Sequence, residues 1–236
     1  MAMIIAWQTV NANRRPGSKL FSSGFVIVAP GITIRDRLRV LLPHDSESYY
    51  LNREIIPEDM RMEIQKARVV ITNYHAFQLR EKMEISAGGR KFLQGRGPDL
   101  KTRETESEMV RRVMGDLMGL KNIVVLNDEA HHCYREKQAS DDDFIDDHGN
   151  PITGSDLTEA KKAAKKQNEY ARLWISGLEA VKRTVGISTV FDLSATPFFL
   201  AGSGYREGTL FPWVMSDFSL MDAIECGIVK LPRVPI

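Results

Sequence analysis

Asp128-Glu129-Ala130-His131 puts two adjacent carboxylates and a histidine directly after an apolar run, Ile123-Val124-Val125-Leu126. Acids paired at the tip of a buried strand suit metal-assisted phosphoryl chemistry. One can hold Mg²⁺ through its water shell, because Mg²⁺ gives up water reluctantly. The other can polarise an attacking water. Farther on, Ser194-Ala195-Thr196 follows a second apolar run, Val190-Phe191-Asp192-Leu193. Its two hydroxyls can bridge to His131 and so couple one strand tip to another. Either pattern alone is short enough to arise by chance, as solvated loop charges or as a Ser/Thr turn before Pro197. Together they point to one site, because ligands of open α/β sheets bind beyond the carboxyl ends of the strands.

Two further segments follow apolar runs. Pro30-Gly31-Ile32-Thr33 and Thr72-Asn73-Tyr74-His75 offer backbone amides and hydroxyls to a phosphate backbone, with Arg35, Arg37 and Arg39 adding charge. Such contacts position nucleic acid without reading its sequence. The competing reading is a solvated arginine face and hydroxyls that cap helices, with Thr33 as one cap. His131-His132-Cys133 invites zinc, yet no C-x-x-C or H-E-x-x-H partner accompanies it. The pairs Lys161-Lys162 and Lys165-Lys166 read as a solvated helix face. Trp174, Trp213 and Phe198-Phe199 are expected in the core. No G-x-x-x-x-G-K-[ST] phosphate loop occurs in the chain.

The elements that must position these residues alternate in type. Residues 1–12 read as a helix, 25–29 as a strand, 34–42 as a helix ended by Pro43, and 58–66 as a short helix. A strand at 68–72 precedes a turn and helix over 73–82, then a glycine-marked loop at 88–98. Residues 104–118 carry Met109, Val113 and Leu117 at helical spacing before the strand at 122–127. An acidic insertion spans 138–156. Asp156 with Glu159 makes a capping box for a long helix to about Lys182, with Leu173, Leu178 and Val181 facing inward. A strand follows at 187–193. Strands alternating with helices argue for βαβ units and an α/β fold with a mostly parallel sheet. The runs at 25–29, 122–126 and 190–193 are continuously apolar, as in strands covered on both faces.

A net charge of +1 announces no global polycation, so a nucleic-acid face must be local. Two cysteines among 236 residues suggest a reducing compartment, and no apolar run spans a membrane, so a cytoplasmic location is expected.

Longer wording surrounds the short motifs. Leu126-Asn127-Asp128-Glu129-Ala130-His131-His132-Cys133-Tyr134, Ile71-Thr72-Asn73-Tyr74-His75-Ala76-Phe77 and Asp192-Leu193-Ser194-Ala195-Thr196-Pro197-Phe198 resemble the helicase subunit of type III restriction enzymes. So do Ala29 to Leu38 and the stretch from Trp213 to Pro235. The resemblance covers nearly the whole chain, and its D-E-A-H and S-A-T pieces are shared by many superfamily 2 motors. It implies a RecA-like sheet flanked by helices, with ATP and Mg²⁺ as cofactors. Asp128 would hold Mg²⁺, Glu129 would be the catalytic base, and Asp128 and Glu129 would meet the nucleotide. His131 would link the nucleotide to Ser194 and Thr196, the motif that couples hydrolysis to movement. Pro30, Gly31 and Thr33, with Arg35 beside them, and Thr72 and Asn73 would contact double-stranded DNA. A modification (methyltransferase) subunit would be the partner. The resemblance also implies that residues 1–210 are part of a first motor domain whose phosphate loop lies before Met1. Residues 211–236 would then lead to a second motor domain. By this reading the chain is a fragment of an ATP-dependent DNA translocase, inactive alone. The rival expectations are a non-enzymatic DNA-binding or partner module and a degenerate gene remnant.

Overall fold

Helix α1, Ala2–Arg14, buries Ala2, Ile5, Ala6 and Val10 along one stripe and leads by a polar turn into strand β1, Gly24–Ala29. The computed structural model describes residues 1–81, 103–134, 154–196, 198–199, 203, 205–206, 208–215 and 217–230; the side chains of Ile32, Arg35, Ser155 and Asp156 lie outside that description. After β1 come α2 (Ile32–Arg37), a 3-10 turn at Leu38–Leu41, α3 (Tyr49–Asn52), a 3-10 turn at Glu58–Met60 and α4 (Arg61–Ile64). Strand β2, Arg68–Asn73, ends in the 3-10 turn Tyr74–Phe77. Helix α5, Glu106–Met114, opens on a capping box of Thr105 and Glu108. Strand β3, Ile123–Asp128, runs into a 3-10 turn at Ala130–His132. The long helix α6, Gly154–Thr184, then leads to β4, Ile187–Leu193, and a short α7, Leu220–Glu225, follows.

The four strands form one parallel sheet in the order β2-β1-β3-β4. This is an α/β fold. Parallel neighbours need crossover segments, and these put helices on both faces. One face carries α1, Leu41, Tyr50, Ile56 and Ile64 against Phe25, Ile27, Val124 and Leu126. The other carries α5, α6 and the Tyr74–Phe77 turn against Val26, Val28, Ile123 and Val125. Covered twice, β1 is buried throughout and β3 through Asn127. Register brings Ala29 beside Asn73, Val28 beside Asn127, and Asp128 beside Leu193. All four carboxyl ends therefore share one edge of the sheet.

Several expectations change. The helix expected at 34–42 begins at Ile32 and tightens to 3-10 geometry at Leu38; its N-cap is Gly31, so Thr33 sits inside the first turn and caps nothing. The segment after β2 forms one 3-10 turn among the described residues, and Asn73 caps it by accepting from the Ala76 N–H. Val113 is only partly buried; Met109, Val110, Met114 and Leu117 make the inner stripe of α5 and its following turn. Strand β4 is not covered on both faces. Among the described residues it is the sheet's edge and pairs with β3 alone; its burial alternates and Val190 stays 43% exposed. Trp174 is in the core, but Trp213 is 76% exposed. The loop at 88–98, the acidic cluster Asp141 to Asp147 and the Asp156 cap lie outside the described residues or side chains.

Candidate functional site

Asp128 ends β3, and Glu129 turns the chain. Glu129 adopts φ 51° and ψ 47°, the left-handed region that non-glycine residues avoid. A residue held there signals a surrounding structure that over-determines it, and such strain clusters at functional sites. The turn lets the Glu129 backbone N–H donate to the Asp128 carboxylate. Burial is the main reason the Asp128 pKa is raised; the Glu129 charge adds to it, while that N–H and the Met1 ammonium oppose it.

His131 reaches across to β4. Its Nδ1 lies 2.9 Å from Ser194 Oγ and 3.4 Å from Glu129 Oε2. Ser194 has one hydroxyl proton, which goes to the Thr196 carbonyl at 2.9 Å, and its oxygen accepts the Thr196 N–H at 2.9 Å. A hydroxyl proton turned to the Thr196 carbonyl leaves Ser194 Oγ to accept from an Nδ1–H of His131, the tautomer that the Glu129 carboxylate 3.4 Å from Nδ1 also favours. Thr196 takes part through its backbone. The expected bridge of two hydroxyls to His131 is a bridge of one.

The structure brings Asp128, Glu129, His131, Ser194 and Thr196 together at the carboxyl edge. Pro30, Gly31 and Thr33 follow β1 at the same edge, and Thr33 is exposed. Arg35 falls on α2 with its side chain outside the description. Thr72 is buried, its hydroxyl donating to the Asn73 carbonyl at 3.4 Å, and the Asn73 side-chain oxygen is engaged by the Ala76 N–H. A phosphate oxygen needs a donor: the Thr72 hydroxyl proton goes to the Asn73 carbonyl, whereas Asn73 keeps its amide protons. Among the described residues no cluster of three or more His, Cys, Asp or Glu could hold a metal ion.

The donor set at Asp128 fits a hard, hydrated divalent cation. Two neighbouring carboxylates meet there, Asp128 partly desolvated and Glu129 with His131 Nδ1 at 3.4 Å, and Mg²⁺ binds through one or two carboxylates while keeping its waters. A triphosphate fits less well, because the chain contains no phosphate loop.

One layer of the site escaped the reading of motifs. Asn127 precedes Asp128 and is 1% exposed. Its Oδ1 accepts from Trp174 Nε1–H at 3.1 Å, and its Nδ2 donates to Asp192 Oδ1 at 2.7 Å and sits 3.9 Å from Cys133 Sγ. Asp192 is exposed as a whole residue on the edge strand, yet its carboxyl is crowded on the inner side. Burial raises its pKa, and the Asn127 hydrogen bond holds it back. Burial also pushes the Cys133 thiol well above its ordinary value, with Asp192 adding to the shift. The available signal was an amide inside an otherwise apolar strand, since a buried polar group requires partners. Trp174 also stacks on Tyr74 at 5.3 Å and 14°, which ties α6 to the turn after β2.

No protein-family model, no curated protein and no solved structure matches this chain.

Proposed function

We propose that this chain is the carboxylate-bearing part of a RecA-like superfamily 2 motor domain of the kind found in the helicase subunit of type III restriction enzymes. Its chemistry is Mg²⁺-dependent ATP hydrolysis coupled to movement on double-stranded DNA. The observation that carries this reading is the pairing of two strand tips: Asp128 and Glu129 on one, Ser194 on the other, with His131 hydrogen-bonded between them.

Asp128 would hold a hydrated Mg²⁺, which would supply charge neutralisation on the phosphates. Glu129, half-exposed beside it, orients the attacking water and takes its proton. His131 senses whether Glu129 is engaged and passes that to the Ser194 turn. The face beyond β1, with Pro30, Gly31, Thr33 and Arg35, approaches the DNA backbone, and Thr72 and Asn73 at the end of β2 add to that contact. A modification subunit is the partner that reads sequence.

These 236 residues contain no G-x-x-x-x-G-K-[ST] phosphate loop. The chain alone is therefore expected to bind ATP weakly and to turn it over very little, since positioning and charge stabilisation are nearly all of this catalysis. The test is Glu129→Gln in a protein that carries this chain together with a phosphate loop. Turnover should fall by about 10²- to 10⁴-fold, the usual worth of a positioned base, while ATP binding stays. Unchanged turnover would remove Glu129 from the role of base.

A further inference from the structure

We infer that Asn127 is the positioning residue that holds the β3 tip in register with the Ser194 turn, and that it does so by joining Trp174 and Asp192 through one amide. The inference rests on the reading of Asp128, Glu129 and His131 as the working groups, and extends it to a residue that touches none of the reacting atoms.

An amide suits this position. The indole N–H of Trp174 can only donate, and an ionised carboxylate at Asp192 can only accept. Asn127 answers both, with its oxygen toward Trp174 and its nitrogen toward Asp192. Those two partners also fix which way the amide points, a choice otherwise ambiguous. A leucine would orphan a buried N–H and a crowded carboxylate. An aspartate would set a second carboxylate against Asp192 at about the present 2.7 Å.

The placement ties Asn127 to the site. It is the residue before Asp128, and Asp192 is two residues before Ser194. Ser194 then meets His131 at 2.9 Å, and His131 lies 3.4 Å from Glu129. A ring thus closes through three side-chain contacts, Asn127 to Asp192, Ser194 to His131 and His131 to Glu129, joined along the chain from Asp192 to Ser194 and from Glu129 back to Asn127. Backbone pairing of β3 with β4 fixes their spacing, but the strand register is irregular between Ile123 and Val124. The side-chain tie at Asn127 locks the register where the site needs it.

The reporter is the tautomer of His131, read by ¹⁵N NMR of the imidazole at pH 8.5 in the full 236-residue chain. In the unaltered protein Nδ1 should carry the proton and donate it in the hydrogen bond to Ser194. Asn127→Asp should release the Ser194 turn, and His131 should revert to the Nε2–H form that free histidine prefers. The double variant Asn127→Asp with Asp192→Asn swaps amide and carboxylate, keeps the charge count, and lets residue 127 accept from both partners. It should restore the Nδ1–H form. If Asn127→Asp does not fold, the swap decides alone: a folded protein with Nδ1–H on His131 supports the inference. An unfolded swap, a swap with Nε2–H, or Nδ1–H persisting in Asn127→Asp overturns it. A purely structural role would lower the melting temperature without moving the tautomer. Mn²⁺ broadening of the Asp128 and Glu129 amides in the unaltered chain reports separately on the cation site. Its absence would fail the functional reading while leaving the tautomer result standing.

Discussion

Glu129 sits in the left-handed region at the point where the two acids diverge. Relieving that conformation should stabilise the fold: Glu129→Gly is expected to raise unfolding free energy by about 1 kcal/mol, while abolishing the proposed base. Urea denaturation measures it, and a loss of stability would show that the Glu129 side chain contributes more contact energy than its backbone costs. Asp128 makes an opposite kind of prediction. Its folded pKa is raised, chiefly by burial, so the folded state holds the proton more tightly than the unfolded chain. The group is therefore least costly at low pH, and stability is lost as pH rises through the raised pKa. Asp128→Asn should stabilise the metal-free protein at pH 7, with the gain fading as pH falls toward the ordinary aspartate value of about 3.9. Melting curves across that range test it. At this scale the candidate groups were legible by type and spacing, because Asp128 to His131 are contiguous and each follows a strand. Their supports were not. Asn127 meets Trp174 and Asp192 at separations of 47 and 65 residues, and no local pattern encodes such partners. Trp213 misled for the reverse reason: a large apolar side chain carries no local mark of being exposed.

The strand positions were readable because an apolar run bounded by turn residues leaves few alternatives, and β1 to β4 fall within a residue or two of their expected bounds. Helix ends were less so. Gly31 takes the extended cap conformation that Thr33 was expected to supply. The edge position of β4 depends on strand order, which periodicity does not contain. Elements also meet where one residue must be absent. Gly177 faces Phe77 from the middle of α6, and a Cβ there would lie 2.3 Å from the ring and 2.6 Å from the Phe77 Cβ. Gly177→Ala would gain up to about 1 kcal/mol of helix propensity. Overpacking against the turn after β2 should outweigh that gain, for a net loss of about 1 to 2 kcal/mol. A rise in the urea midpoint would mean that α6 can move aside. Arg112, in the last turn of α5, donates two hydrogen bonds of 2.9 Å to Glu104 just before that helix and a third to the Gln78 carbonyl in the segment after β2. The pairing with Arg112 is the main cause that holds Glu104 below its usual range. A depressed carboxyl contributes above its unfolded pKa and loses that contribution as pH falls through the folded one. Arg112→Ala should therefore destabilise at pH 7 and much less at pH 3, as paired melts can show.

At the scale of the molecule, β1 and β3 belong to both apolar layers, because alternate side chains of each strand face opposite helices. The two layers cannot separate without breaking the same strands, so far-ultraviolet circular dichroism and tryptophan fluorescence should report one coincident unfolding transition. No helix among the described residues is long and apolar enough to cross a membrane. Parallel strand order gathers four carboxyl ends at one edge, and everything proposed about function depends on that gathering. The most direct test is paramagnetic: add Mn²⁺ to the ¹⁵N-labelled chain and map which amides broaden, then repeat with Asp128→Asn. The account predicts broadening centred on Asp128 to His131 and reaching Ser194, abolished by the substitution. Broadening that ignores Asp128, centring instead on the acidic stretch Asp141 to Asp147, would contradict it.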